Sequence, residues 1–317
     1  MDGPIGYAVS VIVVPALVAV AAAAPVLVGP LRRRAAAVEC AVAFALALAF
    51  LLSFVRELDE NAVVRQFVAI EGDRFPIERW HRLALAAIVL ALAGPALAVV
   101  RAFDGRNAAR YYTAGAVTVA AFLAGLLIEF PRATTAGQIL QGATCALATL
   151  GFARFSRTGA LWNAWVVFGA LAALLLLGGF ARLMVMSAAL SAASFGIAVA
   201  AFVGARRTRE PVAVEGGGGV GLVLGVLAGL LASAGRGYDQ GDLPVWCWTA
   251  AALLPFGAFI FGRHSDRAPS REASTFWRVL GAAILAAILL GAVAASQFAG
   301  GAAEPEDAGD PMDGIYG

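Results

Sequence analysis

Apolar residues along this chain come in long unbroken runs, separated by short segments rich in Arg, Gly and Pro. The runs cover approximately 6–29, 36–55, 83–103, 112–130, 137–154, 160–178, 183–205, 218–235, 245–262 and 276–298. A bilayer core about 30 Å thick takes roughly 20 apolar residues of helix, and the runs sit close to that length. Membrane strands are shorter and alternate in polarity, so sheet is disfavoured. Helices are the remaining structure able to close their own backbone hydrogen bonds in lipid. The pattern predicts an all-α polytopic integral membrane protein, a bundle of about ten transmembrane helices occupying residues 1–298.

Two places need care. The run at 137–154 is the most polar of the set. Residues 160–205 would form a rod of about 69 Å as a single helix, longer than any bilayer is thick. A tight hairpin at Gly178-Gly179 is therefore expected.

The segments between runs give an orientation, because cytoplasmic loops collect positive charge. Fifteen of the 23 arginines fall in one alternating set of connections, including Arg32–Arg34, Arg101, Arg106, Arg154, Arg206, Arg207, Arg263 and Arg267. Of the other eight, five lie in the 56–82 segment beside six carboxylates. The alternation keeps phase through ten runs and predicts that both termini are extracytoplasmic. The tryptophans fall at or near the starts of runs, where indole rings prefer the headgroup level. Segment 56–82 reads as an extracytoplasmic loop with a short interfacial helix from Asp59 to Ile70. The tail 299–317, with Glu304, Glu306, Asp307, Asp310 and Asp313 among Gly, Pro and Ala, reads as acidic and disordered.

Composition agrees with a lipid solvent. Apolar residues make up 61% and charged residues 14%, against about 45–50% and about 25% in soluble domains. The net charge of +2 gives no reason to expect a nucleic-acid partner. Every basic residue is Arg, which points to a GC-rich bacterial coding sequence and hence to the cytoplasmic (inner) membrane. The first run has no basic residue before it and is too long for a secretory signal, so it reads as the first membrane helix. Cys40, Cys145 and Cys247 lie inside apolar runs without metal-ligand spacing, as small buried hydrophobes do. No cofactor and no metal is expected.

Candidate chemistry is sparse. In the fifth run Thr134, Gln138, Gln141, Cys145 and Thr149 fall on one helical face. Amides facing lipid are costly, so this stripe faces protein or water: either a polar path, with Asn163 as a further member, or a seam of interhelical hydrogen bonds. Glu39 and Glu129 are ionisable residues within runs. Such acids are candidates for proton or ion coupling, although each lies near arginines that could pair with it. Gly221, Gly225 and Gly229 repeat every four residues, and Ser187, Ser191 and Ser194 form a similar ridge; both predict close helix packing. Residues Gly216–Gly221 also satisfy G-x-G-x-x-G, but a dinucleotide site needs a soluble βαβ unit around it. Glu78 and His81 form one Glu-x-x-His pair, too few ligands for a di-iron bundle site.

Three functional expectations follow. The first is a transporter of small solutes or lipids with its path beside the fifth and sixth runs. The second is a non-catalytic membrane scaffold or assembly subunit, with a membrane-protein partner or a second copy. The third is a membrane enzyme acting at the extracytoplasmic interface through His81, Glu78 and Asp73 of segment 56–82. An enzyme is the less expected outcome.

Overall fold

The computed structural model describes residues 4–57, 82–103, 107–130, 134–155, 158–208, 218–241, 243–257 and 271–301. These residues are helical almost throughout, with no strand among them. The principal helices are α1 (Pro4–Val28), α2 (Ala35–Glu57), α3 (Arg82–Phe103), α4 (Asn107–Leu127) and α5 (Thr135–Ala153). They continue with α6 (Gly159–Leu177), α7 (Ala181–Thr208), α8 (Gly219–Tyr238), α9 (Val245–Ala252) and α10 (Arg271–Gly301). Seven of them are long and apolar enough to cross a membrane: α1, α2, α3, α6, α7, α8 and α10. Leu17, Val89, Leu92, Val119 and Ile288 are each more than half exposed on the outside of the bundle. An apolar exterior of this kind is stable against lipid and unfavourable against water. The architecture is that of a polytopic membrane bundle.

Of the other three helices, α4 and α9 differ from the sequence expectation. Helix α4 stops at Leu127, so Ile128, Glu129 and Phe130 are not helical, although the run was expected to continue through 130. Helix α5 carries the polar stripe. Helix α9 ends at Ala252 and is broken by a turn at Leu253, after which residues 254–257 are helical again; the rest of the expected run, to 262, lies outside the described residues. Pro255 follows the break; it has no N–H to return to Ala251, and its ring crowds the preceding turn. The expected interfacial helix from Asp59 to Ile70 falls wholly outside the described residues, as do Glu78, His81, Asp73, Trp80 and the acidic tail beyond Gly301.

Contacts between helix ends sort the bundle into two ends. At one, the Tyr7 hydroxyl donates to the Glu57 carboxylate, which also lies 3.9 Å from Arg182 Nε. Phe180 stacks on Tyr238 at 4.9 Å, and Phe130 meets Tyr238 edge-on at 6.5 Å. The Gln297 amide donates to Gly241 O. At the other end Gly204 packs against the Leu27 carbonyl, Gly151 against Pro255, and Phe155, Ala160 and Ala282 cluster together. Helices therefore run alternately from the Tyr7 end to the opposite end. The α6–α7 turn is the expected hairpin, closed by Gly179 at φ 77°, a conformation that favours glycine.

Helix α8 is the hub. Every residue from Gly219 to Gly235 is buried, with α2, α3, α4, α5, α6 and α9 packed around it. A helix enclosed on all sides must be apolar all round. It must also be thin where neighbours cross it, and its glycines make it so. Gly219 meets Gly94 of α3, the residue before Pro95.

Helix α1 contains a repair in its first half. An α-helix would close the Val11 carbonyl with the N–H of residue 15, but that residue is Pro15. The backbone widens into a π turn over Val9–Val13, and Ser53 of α2 donates to Val11 O at 2.7 Å. Ser53→Ala leaves that buried carbonyl without its donor and is expected to cost about 1–3 kcal/mol. Pro15→Ala restores an N–H, so the serine substitution should cost markedly less in that background. Unfolding of the four proteins in detergent measures both quantities; equal costs in the two backgrounds would break the link.

Candidate functional site

The polar stripe of α5 and the glycine ridge of α8, two separate signals in the sequence, meet each other. Gly229 lies so close to Cys145 that an added Cβ would stand 2.6 Å from Cys145 Sγ and 2.8 Å from its Cα. Gly225 is pressed against Thr149 in the same way, backbone included. The Cys145 thiol points at the Val226 carbonyl, 3.8 Å away. Gly221 is buried on the same face of α8. A four-residue repeat of glycine lets backbones approach to this distance because nothing projects between them.

Other members of the stripe have different duties. Thr134 precedes α5 and caps it, its exposed hydroxyl accepting from Gly137 N at 3.1 Å. Gln138 is half-buried. Gln141 is 2% exposed, and both of its amide hydrogens go to carbonyls of the neighbouring chain end, Gly125 O at 2.5 Å and Ile128 O at 2.6 Å. Those carbonyls belong to the last turn of α4 and the residue after it, where no intrahelical donor exists. Gln141 thus supplies in trans the cap that α4 lacks, and Gly142 lets α4 come close, an added Cβ there standing 2.9 Å from Phe122 O. Asn163 is fully buried in α6 and donates to Gly159 O of its own helix at 2.9 Å. It sits one turn into α6 rather than on the α5 seam.

At the Tyr7 end the seam opens into a small pocket. Leu140, Gln141, Ser233, Arg236, Trp248 and Thr249 are among the residues lining it, and its volume of about 10 Å³ accommodates a single water. Arg236 is half-buried in the last turn of α8 and donates to Gly137 O at 3.4 Å. Trp248 is buried at 1% exposure, although its position near the start of a run suggested the membrane interface. Its ring lies against Gly235, where any side chain would collide with it, and against Gly178. Asp239 closes the turn beyond, accepting from Gly241 N at 3.0 Å and Leu243 N at 2.7 Å.

Three buried polar atoms in this region and nearby have no hydrogen-bond partner among the described residues: Thr149 Oγ1, Trp248 Nε1 and Asn163 Oδ1. Unpaired groups of this kind are unfavourable in a low-dielectric interior and call for a water or a functional explanation.

The two candidate acids separate. Glu39 is buried at 4% exposure, its carboxylate lying over Gly218 at the N-terminus of α8, the positive end of that helix. A side chain at 218 would occupy the carboxylate's place. Glu129 is exposed beyond the end of α4, outside the helix that was expected to contain it. The serine ridge lies between α7 and α6: Ser187 donates to Phe168 O and Ser191 to Trp165 O, both at 2.8 Å, and Ser194 is fully buried. No cluster of His, Cys, Asp and Glu capable of holding a metal occurs among the described residues. Comparison with protein-family models, curated proteins and solved structures gave no match to this chain.

What the stripe alone could not reveal is which neighbour it faces. Arg236 and Trp248, the most prominent residues of the pocket, carried no signal beyond their places near the ends of apolar runs. Gly225→Ala must push the α5 backbone away, and a cost of about 1–3 kcal/mol is expected. Gly291→Ala, in open space on α10, should be neutral or stabilising by up to about 1 kcal/mol through helix propensity. Thermal unfolding of the two variants in one detergent decides whether the α5–α8 contact is as tight as described.

Proposed function

We propose that this chain is a ten-pass membrane protein whose α5–α8 seam is the closed form of a path for a small polar solute, entered from the Tyr7 end. Support for ten passes comes from the strict alternation of helix ends, which extends to α4, α5 and α9. In this reading the Tyr7 end is extracytoplasmic, as the arginine distribution argues, and the membrane is the bacterial cytoplasmic one. Reporter fusions at residues 105 and 265 should then both report the cytoplasm.

One observation carries the transport reading. The small pocket stands at the head of a seam containing an unpaired buried hydroxyl, Thr149 Oγ1, against a glycine surface that can part without dragging side chains. An unpaired hydroxyl in the seam is a group that a polar solute can engage. The tight closure in turn fits a conformation between turnovers. Known solute sites enclose about 300–1,000 Å³, so the seam must widen considerably to pass one.

The scaffold reading has one specific observation behind it: both amide hydrogens of Gln141 are taken by α4 carbonyls, as a purely structural residue requires. Thiol labelling separates the two. In a Cys40→Ser, Cys247→Ser background the protein keeps Cys145 alone, one turn below Gln141. A membrane-impermeant methanethiosulfonate added from outside should label a cysteine placed at Ser233 readily and Cys145 slowly but measurably in native membranes. Complete protection of Cys145 under all conditions, with an unidentified chain co-purifying in native mass measurements, would favour the scaffold.

A further inference from the structure

The register between α6 and α7 leaves a step on the outside of the bundle. Ser187 bonds to the carbonyl of Phe168 and Ser191 to that of Trp165, so the two antiparallel helices are locked at those levels. Extending the register places Gly159, where α6 begins, opposite Ile197. The remaining turns of α7, through Thr208, project about 16 Å beyond it at 1.5 Å per residue.

That projection carries an unusual face. Phe195, Phe202 and Arg206 are spaced by seven and four residues and share one side of α7. Phe195 and Phe202 are 42% and 46% exposed, and Arg206 is exposed with its guanidinium 4.6 Å above the Phe202 ring. Where α6 begins, Trp162 and Trp165 close on Phe195 at 5.6 and 5.2 Å, forming an aromatic shelf at the foot of the step. Arg207 stands beside Arg206, and neither makes an ion pair with a carboxylate among the described residues. Gly204, on the opposite side of α7, is covered by Leu27 of α1, so the aromatic face points away from that contact.

We infer that this step is a binding site for an anionic phospholipid, its phosphate held by Arg206 and Arg207 and its upper acyl chains lying on Phe202, Phe195 and Trp165. The argument is one of complementarity. Guanidinium groups pair with phosphate oxygens through parallel hydrogen bonds. Aromatic rings settle at the level where headgroup gives way to chain. Here the two are arranged in that order along one helix face, and a neighbouring helix that begins late leaves room for the molecule. Basic sites between membrane helices are a recurrent solution to headgroup recognition. The inference rests on the membrane reading and is independent of whether the seam conducts.

Brominated lipids, which quench tryptophan fluorescence on contact, test it with the full chain in bilayers. The signal of Trp162 and Trp165 is isolated by difference from the Trp162→Phe, Trp165→Phe protein. At equal mole fraction in phosphatidylcholine, brominated phosphatidylglycerol should quench this pair several-fold more than brominated phosphatidylcholine. Arg206→Gln with Arg207→Gln should abolish the excess and leave the phosphatidylcholine quenching unchanged, while Arg206→Lys with Arg207→Lys should retain much of it. Equal quenching by the two lipids would overturn the site, as would an excess that survives loss of both arginines. An excess equally large at Trp246, at the opposite end of the bundle, would reduce it to general charge attraction and overturn it too. If neither lipid quenches any tryptophan, the membrane reading itself fails.

Discussion

A backbone carbonyl inside a bilayer has no water to turn to, and the polar side chains of this protein are arranged around that constraint. Proline removes the donor for Val11 O, and Ser53 replaces it from the next helix. Helix α4 ends before its last carbonyls are paired, and Gln141 reaches across from α5 to take two of them. Ser187 and Ser191 bond to α6 carbonyls and fix how far α7 slides along it. With only 14% charged residues in the chain, few side chains are left over for other duties. Those that remain unpaired, Thr149 and Trp248 above all, stand out for that reason.

The same constraint explains the shape of the centre. A helix surrounded by others can bring its neighbours' backbones close only where it lacks side chains, and α8 presents Gly219, Gly225, Gly229 and Gly235 to four different contacts: Gly94, Thr149, Cys145 and Trp248. Close packing of this kind gains dispersion energy in a solvent that offers no hydrophobic drive between helices. It also makes the seam between α5 and α8 smooth. The close approach of the two backbones follows from that one choice of residue.

At the Tyr7 end the connections are bonded to one another. The α6–α7 hairpin, the α8–α9 turn and α10 are joined through Gly178, Gly241 and Gln297, and Asp239 holds the turn in shape with two backbone bonds. Glu57 ties α1, α2 and α7. Among the described residues these helix ends are thus bonded to one another, and the small pocket lies beside Arg236.

Much of this architecture was legible in the order of residues. Unbroken apolar runs announce membrane helices because the length of a greasy segment is set by bilayer thickness, a property of the solvent. The glycine and serine ridges announced close packing because a four-residue repeat of small side chains has few other uses. The break at Leu253 before Pro255 and the early end of α4 were not visible, since an apolar run looks the same whether or not its helix is broken. Nor could the sequence say that Trp248 is buried: a tryptophan near a run's end satisfies the interface and the core equally well. Tertiary structure alone decided which faces meet, that the polar stripe of α5 lies on the glycines of α8, that Gln141 serves α4 and that Glu39 lies at the head of α8. The reason is physical. Composition and periodicity fix what each helix can tolerate beside it, whereas the choice among tolerable neighbours depends on the shapes of all the others at once.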